Sequence, residues 1–402
     1  MKLPEAPWQK REGMRRLLKA LDVDQGSTRY VGGSVRDQLL GLPVSDIDLA
    51  TRLEPGAVMK RLQRARIKAV PTGIAHGTIT AVLRHGPVEV TTLRRDVSTD
   101  GRRATIAYTD DWKQDAARRD FTINALSADP VTLEIHDYFG GAEDLAARRL
   151  RFIGDPLTRI AEDHLRILRF FRFHGRFGQG DPDPAALEAC AARANDLMAL
   201  SRERIADELL KLLTLPDPAP TLELMVGRGI LRPVLPEIDE SGVAELVELV
   251  RRERAAGGEP QPLRRLAALL PADPGLAAAI AARLRLSKKA GKRLISAAGR
   301  RGGGEQDAEA LAYRIGAQEA VDRLLLAGGS PAEVRRIEGW TRPRFPLSGG
   351  DLIAMGLSPG PIVAKTLQAV EDDWVRGGFS ADRETVRRLA RARVDQLLRD
   401  SQ

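Results

Sequence analysis

At 402 residues the chain is long enough for about two to four packed units, and its formal charge of +8 with an isoelectric point near 9.8 points to an anionic partner, nucleic acid being the commonest. A single cysteine, Cys190, excludes an intrachain disulfide and a Cys-rich zinc site. The opening Met1-Lys2-Leu3-Pro4-Glu5 carries no apolar signal core and no run approaches the roughly 18 apolar residues of a membrane span, so a cytoplasmic chain with no membrane partner is expected.

Residues 8–21 read as a short amphipathic helix leading into β-prone Thr28-Arg29-Tyr30-Val31. That strand runs into Gly32-Gly33, and residues 34–40 read as a helix. A Gly-Gly turn lets backbone N–H groups approach a ligand closely, and a helix N-terminus favours anions. Arg36 adds a forked cation suited to phosphate oxygens. In the extended Asp46-Ile47-Asp48-Leu49, alternation puts Ile47 and Leu49 on one face and both aspartates on the other. Side-by-side carboxylates repel unless a cation lies between them, and oxygen ligands suit Mg²⁺. Gly-Gly alone marks many turns, and Asp-x-Asp alone marks many solvated strand ends. Together they form the equipment for nucleotidyl transfer with two metal ions.

Further along, residues 55–65 read as a helix, 77–83 and 88–93 as strands, and 94–119 as a long polar loop with Asp100-Gly101-Arg102-Arg103 near its middle. Glu89 points away from the face of Val88 and Val90. Beside the aspartate strand it would complete a three-carboxylate site; on an edge strand it would be a solvated Glu. In Arg118-Arg119-Asp120-Phe121-Thr122-Ile123-Asn124, Asp120 and Asn124 are four apart and on a helix could hold one ribose 2′-OH. An N-cap and a structural amide fit the same two residues equally well. Residues 132–138 read as one more strand, and the region to about residue 145 is mixed α/β.

Beyond it Ala, Leu, Arg and Glu dominate, with helical periodicity over 157–173, 184–199, 204–213 and onward to the end. Pro and Gly clusters break the pattern at 178–184, 215–220, 257–262, 271–274, 302–304 and 343–350. In Glu162-Asp163-His164-Leu165-Arg166-Ile167-Leu168-Arg169-Phe170-Phe171-Arg172-Phe173, the residues Leu165, Leu168 and Phe171 face a core. Steps of three residues drift by roughly 60°, so Asp163 and Arg166 are expected as neighbours on one helix, with Arg169 next and Arg172 rotated away. A carboxylate beside a guanidinium matches the amino donor and ring-nitrogen acceptor shared by cytosine and adenine. Guanine and uracil would set acceptor against acceptor, at about 1–3 kcal/mol per contact. An i,i+3 ion pair on an amphipathic helix is the plainer account of the same residues.

Gly32-Gly33-Ser34-Val35-Arg36-Asp37 followed by Ser45-Asp46-Ile47-Asp48-Leu49 resembles the head of the polymerase-β-like nucleotidyltransferases that add CCA to tRNA 3′ ends, in the class that also contains bacterial poly(A) polymerases. The likeness is dense over residues 28–210 and weaker to the C-terminus. It implies an α+β fold, with a small mixed or antiparallel-sheet head (1–145) followed by an elongated all-α neck (146–215) and an RNA-binding body and tail (216–402). It implies Mg²⁺ on Asp46 and Asp48, with Glu89 assisting activation of the tRNA 3′ hydroxyl. Gly32, Gly33, Arg36, Arg118 and Arg119 would bind the triphosphate, Asp120 and Asn124 the ribose, and Asp163 with Arg166 the base. Arg169 and Arg172 would approach the nucleotide. CTP and ATP are the implied substrates, and tRNA, held through its 3′ end and acceptor/T arm, the implied partner.

The basic cluster at 283–293 and the Gly-rich 345–360 would grip tRNA phosphates in this reading, or be solvated faces in the plainer one. Asp155-Pro156 and 203–209 also resemble family motifs but read as a hinge and an amphipathic helix. Alternatives within the family are a poly(A) polymerase and an enzyme adding only CC or only A. A non-catalytic tRNA-binding protein is a third, against which the intact Asp46-x-Asp48 counts. All five histidines fall at or before His174, which argues against a C-terminal His-Asp phosphohydrolase, and the end at Asp400-Ser401-Gln402 lacks the long basic extension expected of a poly(A) polymerase.

Overall fold

The computed structural model describes residues 1–99, 104–302 and 307–400, and its contacts divide the chain into two compact units, Met1–Ile238 and Asp239–Gln402. The first unit opens with α1 (Met14–Ala20), β1 (Thr28–Val31), α2 (Gly33–Leu39), β2 (Asp48–Thr51) and α3 (Pro55–Arg64). Strands β3 (Lys68–Gly73), β4 (Thr78–Leu83), β5 (Gly86–Thr92), β6 (Arg94–Thr99) and β7 (Ala104–Tyr108) follow. After α4 (Trp112–Ala117) come the short β8 (Ser127–Ala128) and β9 (Ile135–His136). The rest of the unit is helical: α5 (Gly141–Ala146), α6 (Pro156–Glu162), α7 (Arg166–Phe177), α8 (Pro184–Ala192), α9 (Arg202–Leu213) and α10 (Ala219–Gly227).

Seven strands form one sheet in the order β3-β4-β5-β2-β1-β8-β9, with β6 and β7 a separate hairpin. The β2–β5 pair is parallel and its neighbours are antiparallel, so the sheet is mixed, as expected. Its register sets Asp48 opposite Glu89 and Leu49 opposite Val90. Leu49, Val88 and Val90 are fully buried on one face, and strand alternation leaves Asp48 and Glu89 together on the other. Helix α3 packs on β3 and β4 and against α1, and Met14, Leu17, Val58 and Leu62 complete the core there.

Three local expectations change. Residues 94–99 and 104–119 form β6, β7 and α4 rather than a loop: β6 is almost wholly polar and hid the ribbon, although Ala104, Ile106 and Tyr108 of β7 alternate as in a strand. Asp100-Gly101-Arg102-Arg103 lies outside the described residues, as do residues 303 and 304 of the expected 302–304 break. The helix at 8–21 is split into a 3-10 turn, Pro7–Lys10, and α1, with Gly13 at φ +88° between them. The strand at 132–138 shrinks to β9, since Asp129 Oδ1 accepts from the N–H groups of Val131 and Thr132 (2.7 and 2.8 Å) and folds that stretch into a turn.

Among its described residues the second unit has α-helices and no strands: α11 (Glu240–Ala256), α12 (Pro262–Leu269), α13 (Pro274–Arg283), α14 (Lys288–Ala298), α15 (Ala308–Ile315), α16 (Ala317–Ala327), α17 (Pro331–Glu338), α18 (Gly349–Ala354), α19 (Pro361–Arg376) and α20 (Arg383–Asp400). Leu352, Val370, Trp374, Val386 and Val394 form one apolar cluster. Between α11, α12 and α16 sits a buried ionic group: Arg264 and Arg265 hold the two oxygens of Glu253 (2.6 and 2.8 Å), and Arg264 also reaches Asp322 (3.3 Å). The basic stretch 283–293 spans the end of α13 and most of α14, leaving Lys288, Lys289 and Lys292 exposed, while Arg293 pairs with Asp322. In the Gly-rich stretch, α18 starts on a capping box of Ser348 and Asp351. No single helix among the described residues is long and apolar enough to cross a membrane.

Candidate active site

Where β1 ends, Gly32 adopts φ +65° and ψ −126°, a conformation that side chains rarely take. A Cβ there would stand 2.8 Å from Arg119 Nη1, so glycine lets that guanidinium lie against the backbone at the start of α2. These residues border a cavity of about 600 Å³ in the first unit. Asp46 and Asp48 line it on one side, separated by Ile47, which is buried on the opposite face. Asp48 is half-buried, Asp46 exposed, and Glu89 stands beside Asp48 on β5, its N–H donating to the Ile47 carbonyl (3.1 Å). Burial first, then Glu89 and Asp46, push the Asp48 carboxyl up to about 6, although Arg119 pulls the other way.

That surplus of negative charge fits a cation. Among the described residues, no three His, Cys, Asp or Glu side chains already form a chelating group. An ion held by the aspartates would complete its shell with water or substrate oxygens, as Mg²⁺ commonly does.

The facing wall is built of arginines tied to carboxylates. Arg36 is buried, donates to Asn124 Oδ1 and pairs with Asp37 (2.7 Å). Its guanidinium lies over Phe177 and Phe173, 4.2 and 5.2 Å from the ring centroids. Asn124 Nδ2 donates to Asp120 Oδ1 (2.8 Å), and Arg169 grips Asp120 Oδ2 from Nε and Nη2 (2.8 and 2.5 Å). Burial alone would raise Asp120, but Arg169, Asn124 and the Phe121 N–H outweigh it and hold the carboxyl below its ordinary range. Arg172 pairs with Glu208 on α9 (2.6 Å), a carboxylate that Arg169 also approaches (3.6 Å). Among the described residues Arg119 makes only long bonds, to the Asn124 carbonyl (3.3 Å) and Asp115 (3.5 Å).

At the far end stand Asp163 and Arg166. The chain breaks between α6 and α7, so Asp163 (φ −152°, ψ 105°) is extended and off the helix that begins at Arg166. The expected i,i+3 ion pair is absent. Arg166 donates instead to Glu162 (2.5 Å) and to the carbonyls of Arg159 (2.8 Å) and Arg118 (3.0 Å). Asp163 accepts from Arg204 of α9 (2.9 and 3.1 Å) and from the Leu165 N–H (3.1 Å). Both still line the cavity. One open cleft thus joins a pair of carboxylates, a cationic wall and a carboxylate acceptor beside a fixed fork.

Comparison with known proteins agrees with this reading. A family profile described as "Poly A polymerase head domain" matches residues 28–151, and one described as "Probable RNA and SrmB- binding site of polymerase A" matches 181–241. The protein named CCA tRNA nucleotidyltransferase 1, mitochondrial, is 35% identical in both mouse and human over 391 residues, 93% of this chain and 88% of each relative. The chain belongs to the CCA-adding tRNA nucleotidyltransferase family. A CCA-adding enzyme of Limosilactobacillus fermentum is 30% identical across 94% of this chain and 96% of its own. Among solved structures, the Bacillus stearothermophilus CCA-adding enzyme in complex with CTP superposes with a TM-score of 0.77 at 25% identity, covering 97% of this chain and 100% of that one.

For a member of this nucleotidyltransferase family, the cavity gathers most of the residues singled out by sequence: Gly32, Gly33, Arg36, Asp46, Asp48, Arg119, Asp120, Asn124, Asp163, Arg166, Arg169 and Arg172 all line it. Glu89 stands outside the lining, next to Asp48. Arg118 lies behind the wall, its guanidinium on Asp115 (3.0 Å) and its carbonyl accepting from Arg159 and Arg166. Asp120 and Asn124 do meet, but through a single 3-10 turn, Thr122–Asn124, rather than along an α-helix. The sequence reading missed Asp37, Asp115, Arg204 and Glu208. Glu208 left a signal: it shares the buried side of α9 with Ile205, Leu209 and Leu212, and a carboxylate in an apolar stripe needs a cation.

Proposed function

We propose that this chain is a template-independent CCA-adding enzyme, transferring CMP, CMP and AMP from CTP and ATP to the 3′ end of tRNA with release of pyrophosphate. The observation that carries the reading is the single cavity in which Asp46 and Asp48 face an arginine wall that ends at Asp163 and Arg166. In this reading the Gly32-Gly33 turn, Arg36 and Arg119 receive the triphosphate, with Arg169 and Arg172 behind them. Asp120 and Asn124 hold the ribose 2′-OH, and Asp163 with Arg166 matches the shared edge of cytosine and adenine. Arg204 and Glu162 keep that acceptor and that fork in place, so little ordering is left to the moment of binding. Glu89, beside Asp48, assists activation of the attacking 3′ hydroxyl. Asp46 and Asp48 would hold a divalent ion, Mg²⁺ in this reading, which would supply charge neutralisation on the triphosphate and a lowered pKa for that hydroxyl.

The division into a head (1–145), a neck (146–215) and an RNA-binding body and tail (216–402) belongs to the same proposal, supported by the change from sheet to helix after β9. Cytoplasmic action is proposed from the sequence alone. The mouse and human relatives are named mitochondrial, and cell fractionation distinguishes the compartments. Incubation with tRNA ending at the discriminator base, with CTP and ATP singly and together, tests the activity. Two C residues and one A followed by a stop is the expected product. A second reading, poly(A) addition, is favoured by the name of the matching head profile and would show instead as long A tails from ATP alone.

A further inference from the structure

We propose that Arg176 is a further phosphate-binding residue of the cavity, an inference that rests on the nucleotidyltransferase reading above. Six guanidiniums line the space. Arg36, Arg166, Arg169 and Arg172 each hold a carboxylate at 2.5–2.7 Å, which takes up part of each fork. Among the described residues, only Arg119 and Arg176 of these six lack a carboxylate contact shorter than 3.3 Å. Arg119 reaches Asp115 at 3.5 Å, and Arg176 reaches Asp37 at 3.3 Å, its single carboxylate partner among the described residues. The Arg176 side chain is 41% exposed, against 30% or less for the other five.

Its position is nevertheless fixed. The guanidinium lies 4.8 Å from the Phe177 ring centroid, and Phe177 also carries Arg36 at 4.2 Å. Arg172 precedes Arg176 by one helical turn on α7, so the two forks rise from one face. A guanidinium has five N–H donors in a planar fork, and Asp37 occupies at most two of them. A stacked, half-exposed fork with spare donors at the edge of a cationic cavity suits a phosphate oxyanion bound through two parallel hydrogen bonds. Two sources of that chemistry reach this site in the proposed reaction: the triphosphate of the incoming nucleotide and a phosphodiester near the RNA 3′ end.

The test is steady-state kinetics of Arg176→Gln and Arg176→Lys in the full chain. KM and kcat would be measured for CTP and ATP at saturating tRNA, and for tRNA at saturating nucleotide. The expected result for the Gln variant is a rise of about tenfold in KM for one substrate, kcat within twofold of the parent and partial recovery in the Lys variant. A rise confined to nucleotide assigns the triphosphate, and one confined to tRNA assigns the phosphodiester. KM values within twofold for every substrate overturn the proposal. So does equal loss in both variants with a matching fall in Tm, which marks a tether between α7 and Asp37. Either failure leaves CCA addition by the parent chain standing, whereas absence of that addition in the parent sinks the functional reading itself.

Discussion

At Asp48, folding and chemistry pull in opposite directions. Burial, with Glu89 and Asp46 nearby, lifts the carboxyl from its ordinary 3.8 to about 6, so the folded chain disfavours the charged form that a metal requires. The cost of holding that charge is absent below 3.8, grows as pH rises toward 6 and is full above it. Asp48→Asn should therefore abolish nucleotide addition, by about a thousandfold or more, while raising the stability of the metal-free protein at pH 7 by roughly 1–2 kcal/mol. Thermal unfolding of both proteins between pH 4 and 7 checks this. The gap in Tm should close toward the acid end, and a gap constant with pH contradicts the account. Asp163 offers a second measurement at this scale. Asp163→Ala removes an acceptor and frees Arg204, so misaddition of G and U relative to C and A should rise about 5- to 150-fold, the equivalent of roughly 1–3 kcal/mol. Competition assays with mixed triphosphates read the ratio directly. Chemistry, spacing and the family resemblance together singled out these residues, but their partners could not be read from the sequence. Arg204 lies 41 residues beyond Asp163, and only folding brings α9 against the α6–α7 break.

At the scale of elements, the turn that carries Asn124 depends on a residue far from any chemistry. Gly141, at the start of α5, lies under Thr122: a Cβ there would come within 2.2 Å of the Thr122 carbonyl oxygen and 2.7 Å of its carbon. Backbone cannot swing aside as a side chain tip can. Gly141→Ala should cost about 2–3 kcal/mol and displace the Thr122–Asn124 turn. Discrimination between CTP and dCTP should then weaken together with Tm, and a variant that loses stability yet keeps full ribose selectivity would separate the two effects. Asp144 supports the same turn from below, accepting from Thr122 Oγ1 (2.6 Å) while held by Arg149 and Arg151. Elements built on strong periodicity were readable: β1, β5, α3 and α9 fall close to their expected places. The α6–α7 break was not. Asp163 and Arg166 sit in a run whose side chains keep an unbroken helical pattern, and a backbone discontinuity between two well-patterned segments leaves no mark on hydrophobic period. The β6–β7 hairpin escaped because β6 is almost wholly polar, although Ala104, Ile106 and Tyr108 of β7 do alternate.

Across the whole molecule, each unit has its own means of cohesion. The first rests on the sheet and its covering helices, with a cluster of Phe121, Phe152, Phe170 and Phe173 beneath the arginine wall. The second combines an aromatic-aliphatic cluster with the ionic group of Arg264, Arg265, Glu253 and Asp322, all nearly inaccessible. Replacing one member strands the others without solvent, so Glu253→Ala should destabilise the second unit by about 3–5 kcal/mol. Denaturant unfolding followed at Trp374 tests this, and a loss below about 1 kcal/mol would mean the site takes up water. Composition foretold a helical second half, yet the ionic cluster was invisible there, because Arg264, Arg265 and Glu253 look like ordinary surface charges in an Arg-rich sequence. The parallel β2–β5 register has a last consequence, for how this gene can vary. Residues 41–43 lie between α2 and the cavity-lining Val44 and Ser45 without strand pairing, so codons gained or lost there should be tolerated. A single codon inserted between Asp46 and Asp48 would turn one carboxylate into the apolar core, and such alleles should be purged even where the protein still folds.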